Sequence, residues 1–548
     1  MIARLVFVLI AAIALAAQTP APARQPIGYP IAGIVVSSTT GQPLSGVAVS
    51  ITSTENRHAS QTISTGADGR FAFTGLPAGK YSLTASARGY RAQGFNQHSN
   101  FFTGIAVGPD LDGSNLVFRL VPDAAIEGIV TDDDGDAVRN ASVQLFERNN
   151  DTGQQRTQPV SNSGTDDRGY YHVGHLPPGT YFVAVSARPW YAQYSTPGEA
   201  PTDPENAARV AEEKAQLDVA YPVTFYPSAE DSSAAGAIVL HPGERFTADI
   251  AMRAVPAVHL RIKTGGSDGN NFGIGSRGFP RVSQRIFEGT LLPVTAAQWS
   301  NSPTTGYEFT GIAPGSYILA MSDADGRHGV GWYKAIDLSG TVELDARESP
   351  ALASVSGAVV LEGGTRPSSK IYAVLTNRAS RENFSAEVSD KGLFDFKDDE
   401  VRPGRYEVVL SNAPGFQIKS MIAKGAKTIG QTIEISGGSV QLVCTATHAV
   451  AKVTGVVLRD DKPFAGAMVV LVPRSPESDW TLFRRDQSDS DGTFNLPEVL
   501  PGPYTAIALQ DAWELDWASP TVLQPYLKNG TPVEVNGEGT ISVKVQLQ

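Results

Sequence analysis

The chain has 548 residues, of which 41% are hydrophobic and 18% are charged, a balance typical of folded globular domains. This length exceeds what one hydrophobic core can serve, and it indicates roughly three to five domains. The formal net charge is −12, and Lys and Arg form no cluster along the sequence. Nucleic acid is therefore excluded as the expected partner, because binding to phosphates needs clustered basic side chains.

The N-terminal residues 1–17 are typical of an export signal peptide. Arg4 supplies a positive charge before an apolar run from Leu5 to Ala16, which ends in the small-x-small pattern of a cleavage site. As a helix this run would rise ~18 Å, short of the ~30 Å hydrocarbon core, so cleavage is favoured over a membrane anchor. Residues 18–30 have the composition of a Pro/Ala linker. We expect an exported protein, periplasmic, on the outer surface or extracellular, with no transmembrane span in the mature chain.

One sequence motif then recurs five times along the chain. It reads GADGRFAFTGLPAGKYSLTASARGY from Gly66, and each copy has a glycine, an alternating strand pattern, a Gly-x-Tyr and a second alternating strand. Alternation with a period of two predicts strands with one buried face. A proline before the second glycine in four copies predicts a type II turn, followed by a corner-fixing tyrosine. The five tyrosines are Tyr81, Tyr181, Tyr317, Tyr406 and Tyr504.

A second motif, which predicts a strand, a polar turn and another strand, precedes four of these copies. It begins at Ile31, Ile126, Val355 and Val453. The third copy keeps only VHLRIK near Val258. The two motifs predict five modules in series, in a rod-like array that holds loops at fixed spacings. The predicted boundaries are 31–122 for module 1, 123–255 for module 2 with an insertion at 190–240, 256–350 for a degenerate module 3, 351–450 for module 4, and 451–548 for module 5.

The insertion in module 2 predicts a short helix. Thr202 or Asp203 is a suitable N-cap, Pro204 suits the first turn, and NAARVAEEKAQL over 206–217 is rich in helix formers. The fold class predicted from these patterns is therefore an all-β tandem array of about five β-sandwich modules, with one short helical insertion in module 2.

The combined motif GxVxxxxGxPLxGVxV and TxxDGRFxFxGLPAGxYxLxAxxxGY resembles the carboxypeptidase regulatory-like domain. The resemblance is nearly complete in module 1, good in modules 2 and 5, moderate in module 4, and confined to TGIAPGSY in module 3. It implies that the five modules are transthyretin-like (prealbumin-like) or immunoglobulin-like β-sandwiches, akin to collagen-adhesin B-type repeats and to carbohydrate-binding-like folds. Insertions of the YPVTFYPSA type recur in exported bacterial multi-module relatives. The motif residues form turns and core, so the resemblance implies a fold more than a function.

Two groups of polar residues are candidate metal sites. His241 and Glu244 match an H-x-x-E zinc-binding motif, but no third zinc ligand follows them in the sequence. We therefore interpret them as part of a turn. Asp132, Asp133, Asp134 and Asp136 surround a glycine in a predicted hairpin turn. Clustered carboxylates suit calcium, so a weak structural calcium site is one hypothesis, and a solvated turn is the alternative. No other cofactor is expected.

Aromatic residues on the loops after the Gly-x-Tyr strands are the candidate ligand-binding residues. Trp190, Tyr191 and Tyr194 follow this strand in module 2, and Trp513 and Trp517 follow it in module 5. Flat rings on loops can stack on sugars or anchor a protein, and the alternative is that they plug the end of their own sandwich.

The sequence has no G-x-S-x-G elbow or P-loop, and we predict that the protein is not an enzyme. We expect a cell-envelope or extracellular binding or structural module whose partner is a polysaccharide or an envelope or extracellular protein. Carbohydrate binding is one hypothesis. The alternative is a purely structural or adhesive protein–protein scaffold without a small ligand.

Overall fold

The computed structural model describes residues 28–55, 59–193, 216–263, 277–287, 289–294, 298–302, 306–323, 330–345, 352–363, 366–377, 382–474 and 480–548. The predicted signal peptide and most of the linker lie outside these residues, as does Tyr194. The helix predicted over 206–217 also lies outside them, except for Gln216 and Leu217, which are helical.

The first two modules contain the following strands. Module 1 has β1 (Tyr29–Ser37), β2 (Ala48–Ser53), β3 (Ser60–Ser64), β4 (Arg70–Leu76), β5 (Gly79–Ala87), β6 (Tyr90–Gly94), β7 (Ile105–Val107) and β8 (Leu116–Leu120). Module 2 has β9 (Ala124–Thr131), β10 (Ser142–Asn149), β11 (Arg156–Gly164), β12 (Tyr170–Leu176), β13 (Gly179–Ser186), β14 (Val219–Ala220), β15 (Thr224–Phe225), a 3₁₀ turn (Ser232–Ala234), β16 (Ile238–Leu240), β17 (Arg245–Thr247) and β18 (Ile250–Ala251).

The other three modules follow in chain order. Module 3 has β19 (Val255–Pro256), β20 (Val258–Lys263), β21 (Arg277–Ile286), β22 (Thr290–Pro293), β23 (Gln298–Ser302), β24 (Gly306–Ile312), β25 (Gly315–Asp323), β26 (Val330–Leu338) and β27 (Val342–Asp345). Module 4 has β28 (Ala353–Glu362), β29 (Ile371–Asn377), β30 (Glu382–Val388), β31 (Leu393–Val401), β32 (Gly404–Ser411), β33 (Gln417–Lys424), β34 (Lys427–Ile429), β35 (Thr432–Ile435) and β36 (Gly438–Thr447). Module 5 has β37 (Ala451–Arg459), β38 (Lys462–Pro463), β39 (Met468–Pro473), a 3₁₀ turn (Trp480–Leu482), β40 (Arg484–Gln487), β41 (Thr493–Val499), β42 (Gly502–Leu509), α1 (Pro520–Leu527), β43 (Thr531–Val535) and β44 (Gly539–Gln546).

All five modules share one plan of two sheets. In module 5 the first strand, β37, pairs antiparallel with β41 and parallel with the closing strand β44. The second sheet has the order β40-β39-β42-β43, in which β42 carries the Gly-x-Tyr. Equivalent first sheets have the orders β4-β1-β8, β12-β9-β17, β23-β24-β20-β27 and β31-β28-β36-β33. The Gly-x-Tyr turn therefore carries the chain from one sheet of a module to the other.

Each module has its own hydrophobic core. The five clusters of buried side chains span Ile31 to Leu120, Ala124 to Met252, Val258 to Leu344, Ala353 to Ala446 and Ala451 to Val545. The free Cys444 lies in the fourth of these cores, where burial raises the pKa of its thiol to about 12. The predicted all-β tandem array of about five sandwich modules is confirmed. The helix α1 in module 5 was not predicted, although Ser519 and Pro520 at its start are typical of a helix N-terminus.

The repeated tyrosine fixes the corner between the two sheets in every module. Its side chain is buried, and its hydroxyl donates a hydrogen bond to the carbonyl oxygen four residues earlier, at 2.7–3.0 Å. The acceptors are Pro77, Pro177, Ala313, Arg402 and Leu500. The predicted type II turn is wrong at the Pro-Gly pairs of modules 3 and 5, because Gly315 has φ of +158° and Gly502 has +155°, far from the ~+80° of that turn.

A glycine in the first strand allows the closing strand to approach. A Cβ atom at Gly455 would overlap the carbonyl oxygen of Val543 on β44 and would lie 2.7 Å from Phe494 Cζ. The equivalent glycines are Gly33, Gly128 and Gly357, and each would overlap a carbonyl oxygen of its own closing segment. In module 3 the register places Ile262 at this position, opposite Tyr307, which explains why that module departs from the sequence motif.

The modules do not form the predicted rod, because module 5 returns to modules 1 and 2. Strand β40 and the loop 488–493 of module 5 contact the segment 96–106 of module 1. The loop 511–518 contacts residues 149–153 of module 2. We call this meeting point of segments 96–106, 149–153, 484–493 and 511–518 the three-module junction.

Candidate functional site

One end of module 2 brings together two groups of residues that the sequence presented as separate candidates. The acidic turn 132–136 connects β9 to the segment before β10, and the loop with Trp190 follows β13. Ser142 at the start of β10 pairs with Ser186 at the end of β13, so both loops emerge at the same end of the sandwich. They enclose a cavity of about 330 Å³ that we call the module 2 pocket, lined by Asp132, Ala137, Val138, Arg139, Asn140, Arg188, Trp190 and Tyr221.

Trp190 is the exposed ring of the module 2 pocket. Its side chain is 75% exposed and stands edge-on to the Tyr191 ring, at a centroid distance of 5.8 Å and an interplanar angle of 90°. Tyr191 shares a side-chain hydrogen bond with the buried Tyr221. Trp190 therefore has a rigid aromatic support and an accessible ring face, which is the arrangement that a stacking ligand needs.

The pKa values of the two tyrosines reflect the neighbouring acidic turn. Burial, followed by the negative charges of Asp133 and Asp132, raises the pKa of Tyr191. Burial also raises the pKa of Tyr221, with further contributions from Tyr191 and Asp132. Both hydroxyls therefore stay protonated at neutral pH and can act as hydrogen-bond donors.

Asp132 organises its own turn and does not face a shared metal position. Its Oδ1 accepts hydrogen bonds from the backbone N–H of Asp136 at 2.8 Å and of Asp134 at 3.2 Å, while Gly135 has a left-handed φ of +85°. The Asp133, Asp134 and Asp136 side chains are exposed. Within the described ranges, no group of three or more His, Cys, Asp or Glu residues is placed to hold a metal ion. The calcium hypothesis for these four aspartates is not supported.

Three polar residues of the module 2 pocket were not identified from the sequence. Arg139 and Asn140 lie just after the acidic turn, and Arg188 lies just after β13 with its guanidinium donating to the Ala192 carbonyl at 3.2 Å. No motif marks them, since each becomes part of the pocket only through the pairing of β10 with β13. His241 and Glu244 lie outside this pocket, in a turn where their side chains pair with each other at 2.8 Å.

Trp513 and Trp517, the other two predicted ligand-binding tryptophans, lie in the three-module junction. Trp513 is 9% exposed and stacks on His98 of module 1, with ring centroids 4.5 Å apart and planes within 4°. Trp517 is partly buried, and its indole N–H donates to the Asn150 carbonyl of module 2 at 2.9 Å. These rings are occupied by contacts between modules, so their predicted ligand-binding role is corrected to a structural one.

A buried cation completes the aromatic part of the three-module junction. The Arg485 guanidinium lies 4.8 Å from the Phe101 ring, 5.6 Å from that of Trp513 and 4.7 Å from that of Trp517. Burial lowers the pKa of Arg485 to about 10. Attraction between the guanidinium cation and the three aromatic rings offsets part of the free-energy cost of burying that charge.

Polar contacts hold modules 1 and 5 beside these rings. The buried Gln487 amide donates to the Asn96 carbonyl and to the Thr103 hydroxyl, both at 2.8 Å. Lys80 pairs with Asp489 at 2.5 Å and with Asp491 at 3.6 Å. The Lys80–Asp489 pair borders a second cavity, of about 890 Å³, between the two modules.

Two packed β-sheets around each of five cores define a multi-module β-sandwich protein. The family model of the carboxypeptidase regulatory-like domain matches two segments of the chain in tandem, residues 30–116 and 125–211. These ranges fall in modules 1 and 2. No curated protein matches the chain.

The chain also resembles solved structures at low identity. One is the minor pilin GBS52 of Streptococcus agalactiae, at 13% identity, covering 42% of this chain and 97% of that one, with a TM-score of 0.21. Another is the shaft pilin SpaA of Lactobacillus rhamnosus GG, at 9% identity, covering 42% and 98%, with a TM-score of 0.19. A third is an adhesin, described as putative, of Bacteroides ovatus, at 10% identity, covering 30% and 78%, with a TM-score of 0.19. These scores are too low to transfer a function. Among the helices of the described residues, none has the length and apolar character needed to cross a membrane.

Proposed function

We propose that the protein is an exported, non-enzymatic binding module of the cell envelope or the extracellular space, and that the module 2 pocket binds carbohydrate. The observation that carries this proposal is the 75% exposed ring of Trp190 at a pocket of about 330 Å³. A ring face stacks on the apolar face of a pyranose, and the neighbouring polar groups can hydrogen-bond to its hydroxyls. Arg139, Asn140 and Arg188 supply such donors, and Asn140 also supplies an acceptor.

The composition of the module 2 pocket favours binding over catalysis. No Ser, Thr, Cys, Lys or His is among its lining residues, and one oxygen of its carboxylate, on Asp132, is engaged by the backbone of the acidic turn. Nucleophilic catalysis needs an activated nucleophile beside a base. A ligand held by a ring and fixed polar groups needs neither.

The alternative is a structural or adhesive scaffold that has no small ligand. The three-module junction favours it, because buried rings and polar bridges join modules that are distant in the chain. Such a junction holds the loops at fixed positions for a protein partner. In that case Trp190 would anchor a protein surface.

The experiment is co-sedimentation and affinity electrophoresis of the full mature chain on a panel of insoluble and soluble polysaccharides. Wild type is compared with Trp190→Ala, with Trp190→Phe, which keeps a ring, and with Val239→Ala, which truncates an exposed side chain elsewhere in module 2. We expect retention on one class of polymer, lost in Trp190→Ala and kept in the other two variants. Equal retention of all four proteins would move the site away from this pocket. No retention of the wild type on any polymer would favour the protein–protein scaffold.

A further inference from the structure

The outer face of the first sheet of module 4 carries an apolar surface. We define the module 4 face as the outward side chains of the four strands in the order β31-β28-β36-β33. Four large apolar side chains of this face are between 44% and 73% exposed, namely Val360, Leu393, Ile422 and Val443. Single exposed apolar residues are ordinary on protein surfaces, but contiguous groups mark interaction sites.

The strand register shows that these side chains are contiguous. Leu393 on β31 pairs with Ala358 on β28, which pairs with Val443 on β36, which pairs with Ile422 on β33. These four residues form an apolar row across the whole sheet, and Val360 lies two residues further along β28 on the same side. The fold does not require such a row.

The equivalent row in module 5 is mostly polar. There the register joins Thr493, Val456 and Lys544. Modules 4 and 5 share the same sheet plan, but only module 4 of these two has the apolar row. The row therefore needs an explanation other than the fold.

A second row beside the apolar one carries opposite charges at its two ends. Asp395 on β31 pairs with Ser356, which pairs with Gln441, which pairs with Lys424 on β33. Asp395 and Lys424 are both exposed and stand at opposite edges of the sheet. This second row therefore ends in a negative charge at one edge of the sheet and in a positive charge at the other.

This pattern is self-complementary. A two-fold axis parallel to the strands, between two copies of the face, exchanges β31 with β33 and β28 with β36. Leu393 of one copy then faces Ile422 of the other, and Asp395 faces Lys424, each contact occurring twice. An isologous contact requires this reciprocity, and facing sheets pack ~10 Å apart at angles within about 30°.

We infer that the module 4 face docks against the same face of a second copy of this chain, forming an isologous dimer. Four strands at ~4.8 Å spacing and about seven residues at ~3.3 Å rise give a footprint of roughly 450 Å² per copy. The total of about 900 Å² is below the ~1,200–2,000 Å² of stable complexes, so the dimer is weak and reversible. The exposed charge pairs set its orientation more than its affinity.

The test is sedimentation velocity of the full mature chain across a concentration series from about 1 to 500 μM, the range in which so small an interface dissociates. We expect a monomer–dimer equilibrium in this range. Ile422→Lys places a charge in the apolar row and should raise the dissociation constant by ~10-fold or more. Val239→Lys, at a 58% exposed position of β16 in module 2, is the matched control and should leave the constant unchanged.

Charge exchange tests the orientation in variants that alter only exposed side chains. Asp395→Lys alone and Lys424→Asp alone place like charges opposite each other, so both should weaken the dimer. Added salt should strengthen these two variant dimers, because it screens the repulsion. The double variant Asp395→Lys/Lys424→Asp should restore the wild-type dissociation constant. A chain that stays monomeric at the highest concentration would overturn the inference. A dimer that Ile422→Lys leaves intact would place the contact elsewhere, and failure of the double variant to restore affinity would contradict the two-fold geometry.

Discussion

Two tryptophans that the sequence presents as equivalent should respond very differently to truncation. Trp513 is 9% exposed and stacks on His98, whereas Trp190 is 75% exposed. Burying a tryptophan removes ~200 Å² from water, which at ~25 cal/mol/Å² corresponds to ~5 kcal/mol. With partial collapse of the cavity, we expect Trp513→Ala to lower the free energy of unfolding by about 3–5 kcal/mol. Trp190→Ala should change it by no more than about 0.5 kcal/mol.

The location of the loss matters as much as its size. Trp513 packs in a cluster of module 5 with Met468 and Leu523, and it also contacts Phe101 and His98 of module 1. Its removal should therefore loosen both modules. Because a chain of several modules does not unfold in one two-state step, amide hydrogen exchange resolved by segment is the appropriate assay, with urea unfolding beside it.

We expect Trp513→Ala to increase exchange in segment 96–106 of module 1 as well as in 511–518 of module 5. Trp190→Ala, the matched control, should leave both segments protected. If Trp513→Ala cost no more stability than Trp190→Ala, or if segment 96–106 kept its protection, the reasoning that this ring joins the two modules would be refuted.

Three further predictions concern module 5 and its neighbours. Gly455→Ala should destabilise the protein by about 3 kcal/mol, because the added methyl group would push β44 away, whereas Gly340→Ala meets no atom within 4 Å and should be nearly neutral by thermal unfolding. Tyr504→Phe should cost about 1–2 kcal/mol in urea unfolding, because the buried Leu500 carbonyl loses its donor. Burial raises the pKa of Asp486 to about 6, above its unfolded value. The folded state then holds more protons between about pH 4 and 6, so stability falls as pH rises through this window, by up to ~3 kcal/mol. Asp486→Asn should remove that fall in a series of melting temperatures.

Each of these three has a contrary outcome. Equal melting temperatures for Gly455→Ala and Gly340→Ala would show that the closing strand adjusts freely. A Tyr504→Phe variant as stable as wild type would mean that the corner is held by packing alone. A wild-type minus Asp486→Asn difference that stays flat with pH would place that carboxyl in a solvated site.

The β-sandwich modules were predictable because their signals are local. Alternation of apolar and polar residues marks the strands. Tyr81 and its four counterparts are the tyrosines of the Gly-x-Tyr motif, and each bonds the carbonyl four residues earlier in the sequence. The turn type was mispredicted because a Pro-Gly pair restricts φ only to broad regions, and the sheet-to-sheet crossing selects φ near +155° at Gly502. The weak motif of module 3 also has a local cause, since Ile262 stands where the other modules have glycine.

The candidate site was only partly predictable, because its residues acquire their roles through distant contacts. Trp190 and Trp513 both follow the Gly-x-Tyr strand of their own module, yet the first ring is exposed and the second is buried. Nothing in the sequence near either tryptophan predicts this difference. What separates them is the bond from Asn150 to the Trp513 carbonyl, between residues 363 positions apart. The sequence carries no periodic signal for a contact of that kind.

The return of module 5 changes how the array resists unfolding. In a linear array each module contacts only its neighbours, so a terminal module can fray independently. Here module 5 is tied to module 4 through the chain and to modules 1 and 2 through Gln487, Trp513 and Trp517. Fraying of the C-terminal module must therefore break the junction, and the junction contacts the same module whose other loops form the Trp190 pocket. The closed arrangement thus stabilises the part of the chain that we propose binds carbohydrate, which a rod of independent modules would not do.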